Sequence, residues 1–257
     1  MASFEELVAE GAGVPVEGWD FSWFEGRATE ERPPWGYAGL VAARVATARR
    51  LLDVETGGGE VFAGAASAAV RTGATPRLLV ATESWWPNVV VAREHLGPLG
   101  AHVVAVADAP ALPFRAGSFD LVVSRHPVVV VWEEIARVLE PGGVYLSQQI
   151  GAGTNRELTE FMLGPGPVNE QRSAASARAA AAAAGLDLMR LHECALRVEF
   201  FDVAAVVYFL RKVPWTVPGF SPEAFAEPLR RMHASIERDG VFVSTARRML
   251  VEARRLR

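Results

Sequence analysis

Short apolar runs alternate with helix-like stretches through the middle of the chain, and each run stops at a turn residue or an acid. Residues 50–60, RLLDVETGGGE, set the pattern: an apolar run ends in three consecutive glycines. Buried parallel strands read as short apolar runs bounded by turns. The spacing predicts a first strand over 51–55, a turn over 56–59 and a helix from Glu60 through VFAGAASAAVR. A second strand is expected over 77–84, with a helix over 88–96 that stops near Gly97-Pro98. A third strand is expected over 102–107, ending at Asp108, and a fourth over 119–124. A helix over 132–139, closed by Pro141-Gly142-Gly143, leads to a fifth strand over 144–149. Strand and helix in this rhythm predict an α/β domain with a parallel sheet and helices on both faces.

Beyond the fifth strand the pattern changes. A short helix is expected over 155–162, a loop over 164–169 and an alanine-rich helix over 173–185 with a glycine stop. Residues 186–201 and 241–253 read as two further strands. Between them lies an insertion, 202–240, containing YFLRKVPWTVPGF and a helix over 222–238. It reads either as a lid carrying substrate contacts or as a helical hairpin packed on the sheet edge. At the other end, residues 1–45 precede the repeats as an N-terminal arm, and 46–257 form the main domain. Residues 19–37 hold four tryptophans or tyrosines and two phenylalanines. Such rings seek burial with a polar partner, so the stretch is either an arm stapled to the domain or a flap over a ligand. Pro33-Pro34 stops any helix there.

Composition narrows the classes. At 257 residues, half of them hydrophobic, the chain can bury one large core. A net charge of −4 gives no general attraction to nucleic acid or anionic membranes. Cys194 is the single cysteine, which excludes an internal disulfide framework. His95, His102, His126, His192 and His233 show no metal-ligand spacing, so no metal is expected. The opening MASFEELVAE is polar and acidic, unlike a signal peptide, and no apolar run reaches membrane-spanning length. A cytoplasmic protein is expected, with a small-molecule partner.

Polar residues collect at one kind of place. Asp53 and Glu55 close the first strand, Glu83 the second and Asp108 the third, and His126 lies just past the fourth. In open α/β sheets, ligands bind beyond the carboxyl ends of the strands. Glycines let a ligand approach the backbone, and the following helix start offers free N–H groups. An acid at the end of the second strand is placed to accept hydrogen bonds from both ribose hydroxyls of a nucleotide-like cofactor.

Taken together these motifs resemble the class I S-adenosylmethionine-dependent methyltransferases. The resemblance is carried by DVETGGG (53–59), Glu83, DAPALPFRAGSFDLVVSRH (108–126) and RVLEPGGVYL (137–146), and covers about residues 45–150. It implies a Rossmann-like sheet of seven strands, mostly parallel, ending in an antiparallel pair, with the 202–240 lid above the cofactor end. It implies S-adenosylmethionine as cofactor, with Glu83 on the ribose and Asp108 near the adenine. Asp53, Glu55, Thr56, Gly57, Gly59, Ser84, Ala109 and Arg125 are then expected around it. It looks most like a bacterial small-molecule or uncharacterised branch, and O- or N-methylation of a small acceptor is expected.

Methyl transfer from a sulfonium needs in-line approach and exclusion of water more than covalent help. His126 is the candidate base or orienting group, being the histidine at a strand carboxyl end. Trp35, Tyr37, Tyr208 and Trp215 are candidates to wall the acceptor. One residue departs from the family pattern: Glu55 stands where the first glycine is usual. The expectation is that its side chain fills space beside the methionine part of the cofactor and opposes its carboxylate. The other arrangement turns Glu55 aside onto a neighbour. Three alternatives stay open: a methyltransferase-like domain that lost or altered cofactor binding, a nicotinamide oxidoreductase suggested by Tyr208-x-x-x-Lys212, and an RNA methyltransferase suggested by the arginine-rich C-terminus.

Overall fold

A computed structural model describes residues 2–17, 21–71, 73, 76–107 and 111–256. The chain divides into two compact units. One comprises Pro33–Gly151, Glu170–Cys194 and Arg248–Arg257; the other comprises Met1–Arg32, Ala152–Asn169 and Ala195–Arg247.

The first of these is the α/β unit. Strands β2 (Arg50–Asp53), β3 (Leu78–Glu83), β4 (His102–Ala105), β5 (Phe119–Arg125) and β6 (Leu139–Ile150) pair in parallel. β2 lies at the centre, with β3 and β4 to one side and β5 and β6 to the other. The sheet therefore reverses its winding between β2 and β5, the kind of place where open α/β sheets take ligands. Strand β8 (Phe242–Arg255) adds to β6 in antiparallel register, Gln148 facing Leu250 and Ile150 facing Arg248.

Alternation along the strands sorts the core onto two faces. Leu51, Leu79, Leu121 and Val123 pack against helices α2 (Tyr37–Val45), α3 (Glu60–Arg71) and α4 (Trp86–Leu96) through Val41, Phe62, Ala65, Ala92 and Leu96. Leu52, Val80, Val122 and Tyr145 pack on the other face against α5 (Trp132–Val138) and α7 (Ala174–Ala183). The alanines of α7 leave no bulk between helix and sheet, so the alanine-rich stretch is a close-packing surface. The Asp120 carboxylate accepts from the backbone N–H groups of Arg49 and Arg50 at 2.8 and 2.7 Å, fastening the start of β2 to β5.

Within the second unit, α1 (Phe4–Gly13) opens on a capping box between Ser3 and Glu6. It lies against α8 (Val203–Lys212) so closely at Gly11 that an added Cβ would stand 2.4 Å from the Ala204 carbonyl oxygen. Asp202 caps α8 by accepting from Ala205 N at 2.7 Å. Helices α6 (Arg156–Leu163) and α9 (Ala226–Asp239) also belong to it. The short strand β1 (Ala28–Glu30) pairs antiparallel with the end of β7 (Leu186–Phe200).

The expected α/β architecture, mostly parallel with an antiparallel close, is present, with one correction: the described residues form eight strands, not seven. The extra strand is β1, three residues of polar sequence held by pairing with β7 and carrying no hydrophobic alternation of its own. The Pro141-Gly142-Gly143 turn is an irregularity inside β6, where pairing with β5 jumps from Leu139 to Val144. Helix α8 was not separately legible within the insertion.

Gly59 combines a left-handed backbone (φ +81°) with crowding: a Cβ would meet the Leu96 side chain at 3.1 Å and Ala92 Cα at 3.4 Å. Gly64, in the exposed middle of α3, would meet nothing within 4 Å. Gly59→Ala is expected to cost about 2 kcal/mol through backbone strain and contact, lowering the melting temperature by about 4–8 °C. Gly64→Ala is expected to raise it by a few degrees, through about 1 kcal/mol of helix propensity. Thermal unfolding of the two variants beside the parent checks both signs.

Candidate functional site

The carboxyl ends of β2, β3, β5 and β6 gather most of the expected site residues in the α/β unit. The first group surrounds the glycine turn. Gly57 (φ +64°) and Gly59 adopt left-handed backbone that side chains resist, which turns the chain from β2 into α3. Glu83, buried at the end of β3, binds this turn from below. Its Oε2 accepts from Gly57 N at 2.8 Å, and its Oε1 accepts from Ser84 N and Trp85 N, each at 2.9 Å. The imidazole of His95 on α4 ties the other side of the turn through Nδ1 and the Gly58 carbonyl, 2.7 Å apart. Burial raises the Glu83 pKa, while the amides of Trp85, Gly57 and Ser84 and the Asn88 side chain hold it down; the net direction is upward.

Asp53, 5% exposed, ends β2. Burial pushes its carboxyl up to about 7; the Thr56 hydroxyl acts against the rise, the nearby Glu83 charge adds to it, and Arg125 acts against it. Tyr37, at the start of α2, donates its hydroxyl to the Ser124 carbonyl at 2.8 Å. Burial, then the Asp53 and Tyr145 charges, raise its phenol well above the ordinary value.

The second group follows β5. His126 takes a left-handed backbone (φ +54°). Its Nε2 lies 2.9 Å from Gln148 Nε2, and Gln148 Oε1 accepts from Trp35 Nε1 at 2.8 Å. An indole N–H can only donate, so it assigns the Gln148 oxygen to its own side and turns the amide NH₂ toward His126. The ring nitrogen Nε2 is then an acceptor and the proton sits on Nδ1. Burial, with Arg125 and Arg248 nearby, lowers the His126 pKa well below its ordinary value, so the ring is neutral at physiological pH.

Glu55 bridges the two groups. Its backbone is left-handed (φ +55°), as a glycine's would be, and its N–H reaches Thr82 Oγ1 at 3.4 Å. Its side chain leaves the turn and crosses to the loop after β5, where Oε2 accepts from Val128 N at 2.6 Å. The carboxylate therefore spans the ends of β2 and β5, where the sheet reverses.

Of the expected acceptor contacts, Trp35 and Tyr37 join this cluster through Gln148 and Ser124. Tyr208 and Trp215 belong to the second unit; Tyr208 is buried between the rings of Trp23 and Phe24, at 5.0 and 4.9 Å, and Trp215 is exposed. Asp108 and Ala109 lie outside the described residues. Gln148, Thr82, Asn88 and Val128 were not foreseen. A signal for Gln148 exists in Ser147-Gln148-Gln149, three polar residues inside an apolar strand and all buried. Among the described residues, no group of three or more His, Cys, Asp or Glu side chains could hold a metal, and no helix is long and apolar enough to cross a membrane.

The turn can hold a nucleotide-like cofactor. Its glycines turn the backbone toward the crevice, Asn88 Oδ1 is buried without a hydrogen-bond partner, and Glu83 stands beneath. A central β2, a glycine turn after it and an acid closing β3 form the kind of arrangement in which open α/β sheets take nucleotide-like cofactors. Residues 52–147 match a family model described as a methyltransferase domain. Solved structures agree in fold. A candidate methyltransferase from Bacillus halodurans is 20% identical, with a TM-score of 0.59 over 86% of this chain and 99% of that one. Geranyl diphosphate C-methyltransferase from Streptomyces coelicolor, solved with Mg2+, geranyl diphosphate and S-adenosyl-L-homocysteine, is 15% identical, with a TM-score of 0.50 over 85% of this chain and 78% of that one. A [4+2]-cyclase is 19% identical, with a TM-score of 0.51 over 97% and 91%. No curated protein matches in sequence. Residues 52–147 are thus similar to a methyltransferase domain, set in a fold shared with solved methyltransferases.

Asp53 generates a pH prediction. Its folded pKa of about 7 exceeds the unfolded value of about 3.9, so the native state holds a proton that the unfolded state releases. Its contribution to stability is complete below about pH 4 and is lost as pH rises through 7. Asp53→Asn should flatten this dependence, removing up to about 3 kcal/mol of the stability difference between pH 5 and pH 8. Denaturant titrations of both proteins at the two pH values measure it; equal differences in parent and variant would contradict the assignment.

Proposed function

We propose that the protein transfers a methyl group from S-adenosylmethionine to an oxygen or nitrogen of a small-molecule acceptor, as a cytoplasmic enzyme. The observation that carries this reading is the Glu83 carboxylate joined to the glycine turn at Gly57, with Asp53 and Thr56 beside it. In the resemblance these positions hold the cofactor, and the Streptomyces coelicolor neighbour was solved with its demethylated product. Glu83 would take the ribose, the 56–59 turn face the methionine part and Ser84 the adenine side, and the resemblance assigns Asp108 and Ala109 to the adenine as well. When bound, S-adenosylmethionine supplies a methyl group on a positively charged sulfur.

The chain's own residues orient and exclude water. His126 is neutral, with Nε2 accepting from Gln148, so it serves as an orienting group for the acceptor and not as a base poised near pH 7. Trp35 fixes that arrangement and Tyr37 closes its inner side.

One observation favours a second reading. Glu55 stands in a glycine position, and one structural neighbour is a cyclase. A methyltransferase-like domain could thus bind the cofactor without using its methyl group, or steer another reaction.

Calorimetric titration with S-adenosylmethionine and S-adenosylhomocysteine tests the binding step, and incubation of the loaded protein with candidate acceptors tests transfer. Glu83→Ala should weaken S-adenosylhomocysteine binding about ten- to a hundredfold, from loss of charge-assisted hydrogen bonds worth roughly 1.5–3 kcal/mol. Unchanged affinity in a variant that keeps the parent's circular dichroism would remove Glu83 from the cofactor site. Binding without transfer to any acceptor would favour the second reading.

A further inference from the structure

Glu55 has work in this structure that cofactor binding does not account for. The loop it reaches, Pro127 to Val131, carries four valines in succession. The shoulders of that loop are anchored: Pro127 is buried and Val130 packs on the core. At its crown both backbone polar groups of Val128 are held by side chains. The N–H donates to Glu55, and the carbonyl accepts from Arg172 Nη2 at 3.1 Å. Yet the side chains of Val128 and Val129 are 55% and 62% exposed. A loop whose backbone is tied down by two charged residues while its apolar side chains face outward is built to present them.

Their surroundings narrow what they meet. They stand past the carboxyl end of β5, beside the reversal between β2 and β5, where this fold takes small ligands. The neighbouring His126 ring is neutral and bonded to Gln148, whose other amide atom is taken by Trp35. Two valine side chains expose on the order of 200 Å², against about 800 Å² per partner in a stable protein interface. The patch has the scale of part of a small molecule.

We infer that the 127–131 loop is the binding surface for an apolar portion of the acceptor, and that Glu55 is the positioning residue that holds it there. The inference rests on the proposed function for the meaning of the crevice, and it explains the departure from glycine. The backbone keeps the left-handed turn a glycine would make, while the side chain fastens the acceptor side to the cofactor side.

The test uses n-alkyl 4-hydroxybenzoates, methyl to butyl, titrated into the full chain saturated with S-adenosylhomocysteine. In the parent, each added methylene should tighten binding up to about fourfold, the gain from burying one CH₂. In the Val128→Ser/Val129→Ser double variant this dependence on chain length should vanish. In Glu55→Gly the turn survives and the loop is released: butyl ester binding should weaken and hydrogen exchange at the Val128 amide should accelerate at least tenfold. No length dependence in the parent, or equal dependence in parent and double variant, overturns the inference. S-adenosylhomocysteine titration of the same samples keeps the two failures apart: cofactor binding without ester binding removes only the apolar surface, and ester binding without cofactor binding removes only the proposed transfer.

Discussion

The buried carboxylate of Glu83 is the constraint on which the site depends. An acid that has left water must recover its hydrogen bonds inside the protein or lose its charge. Glu83 recovers three from backbone amides, one in the glycine turn and two at the entry to α4. One side chain thereby joins the end of β3, the turn after β2 and the start of the next helix. The turn cannot shift without stripping a buried carboxylate, and the carboxylate cannot turn away without freeing the amides. Under the proposed function, cofactor recognition and the local fold rest on the same set of bonds.

Charge is handled differently on the two sides of the sheet's reversal. Toward β3, burial raises the Asp53 carboxyl to about 7 and the nearby Glu83 charge adds to the rise. Toward β6, two arginines and burial strip His126 of its proton.

Most of the architecture could be read from the order of apolar runs, because buried parallel strands are almost continuous in Val, Leu and Ala and each stops at a turn or an acid. What escaped was structure with no periodicity. Strand β1 is three polar residues made into a strand by their partner, and α8, buried nearly all round, offers no polar face to mark it. The site was legible where chemistry coincides with a strand end, as for Asp53, Glu83 and His126. Gln148 lies within a strand, where position alone says nothing. The direction taken by the Glu55 side chain depends on the placement of Val128, seventy-three residues on in sequence and set by tertiary structure alone.

Glu55 and His126 share a feature of the backbone. Each lies just past the end of its strand, on opposite sides of the reversal, and each has φ near +55° without being glycine. Neighbouring chain ends in a sheet would otherwise run on side by side. Here both peel away through left-handed turns, so the gap between them is written in two dihedral angles and not in the bulk of the residues that line it. Exchanging lining side chains other than Glu55, whose carboxylate holds the loop after β5, would alter what the gap accepts by its chemistry and leave its aperture as it stands. Under the proposed function, diversification toward new acceptors can then proceed one wall residue at a time, around an opening that stays in place.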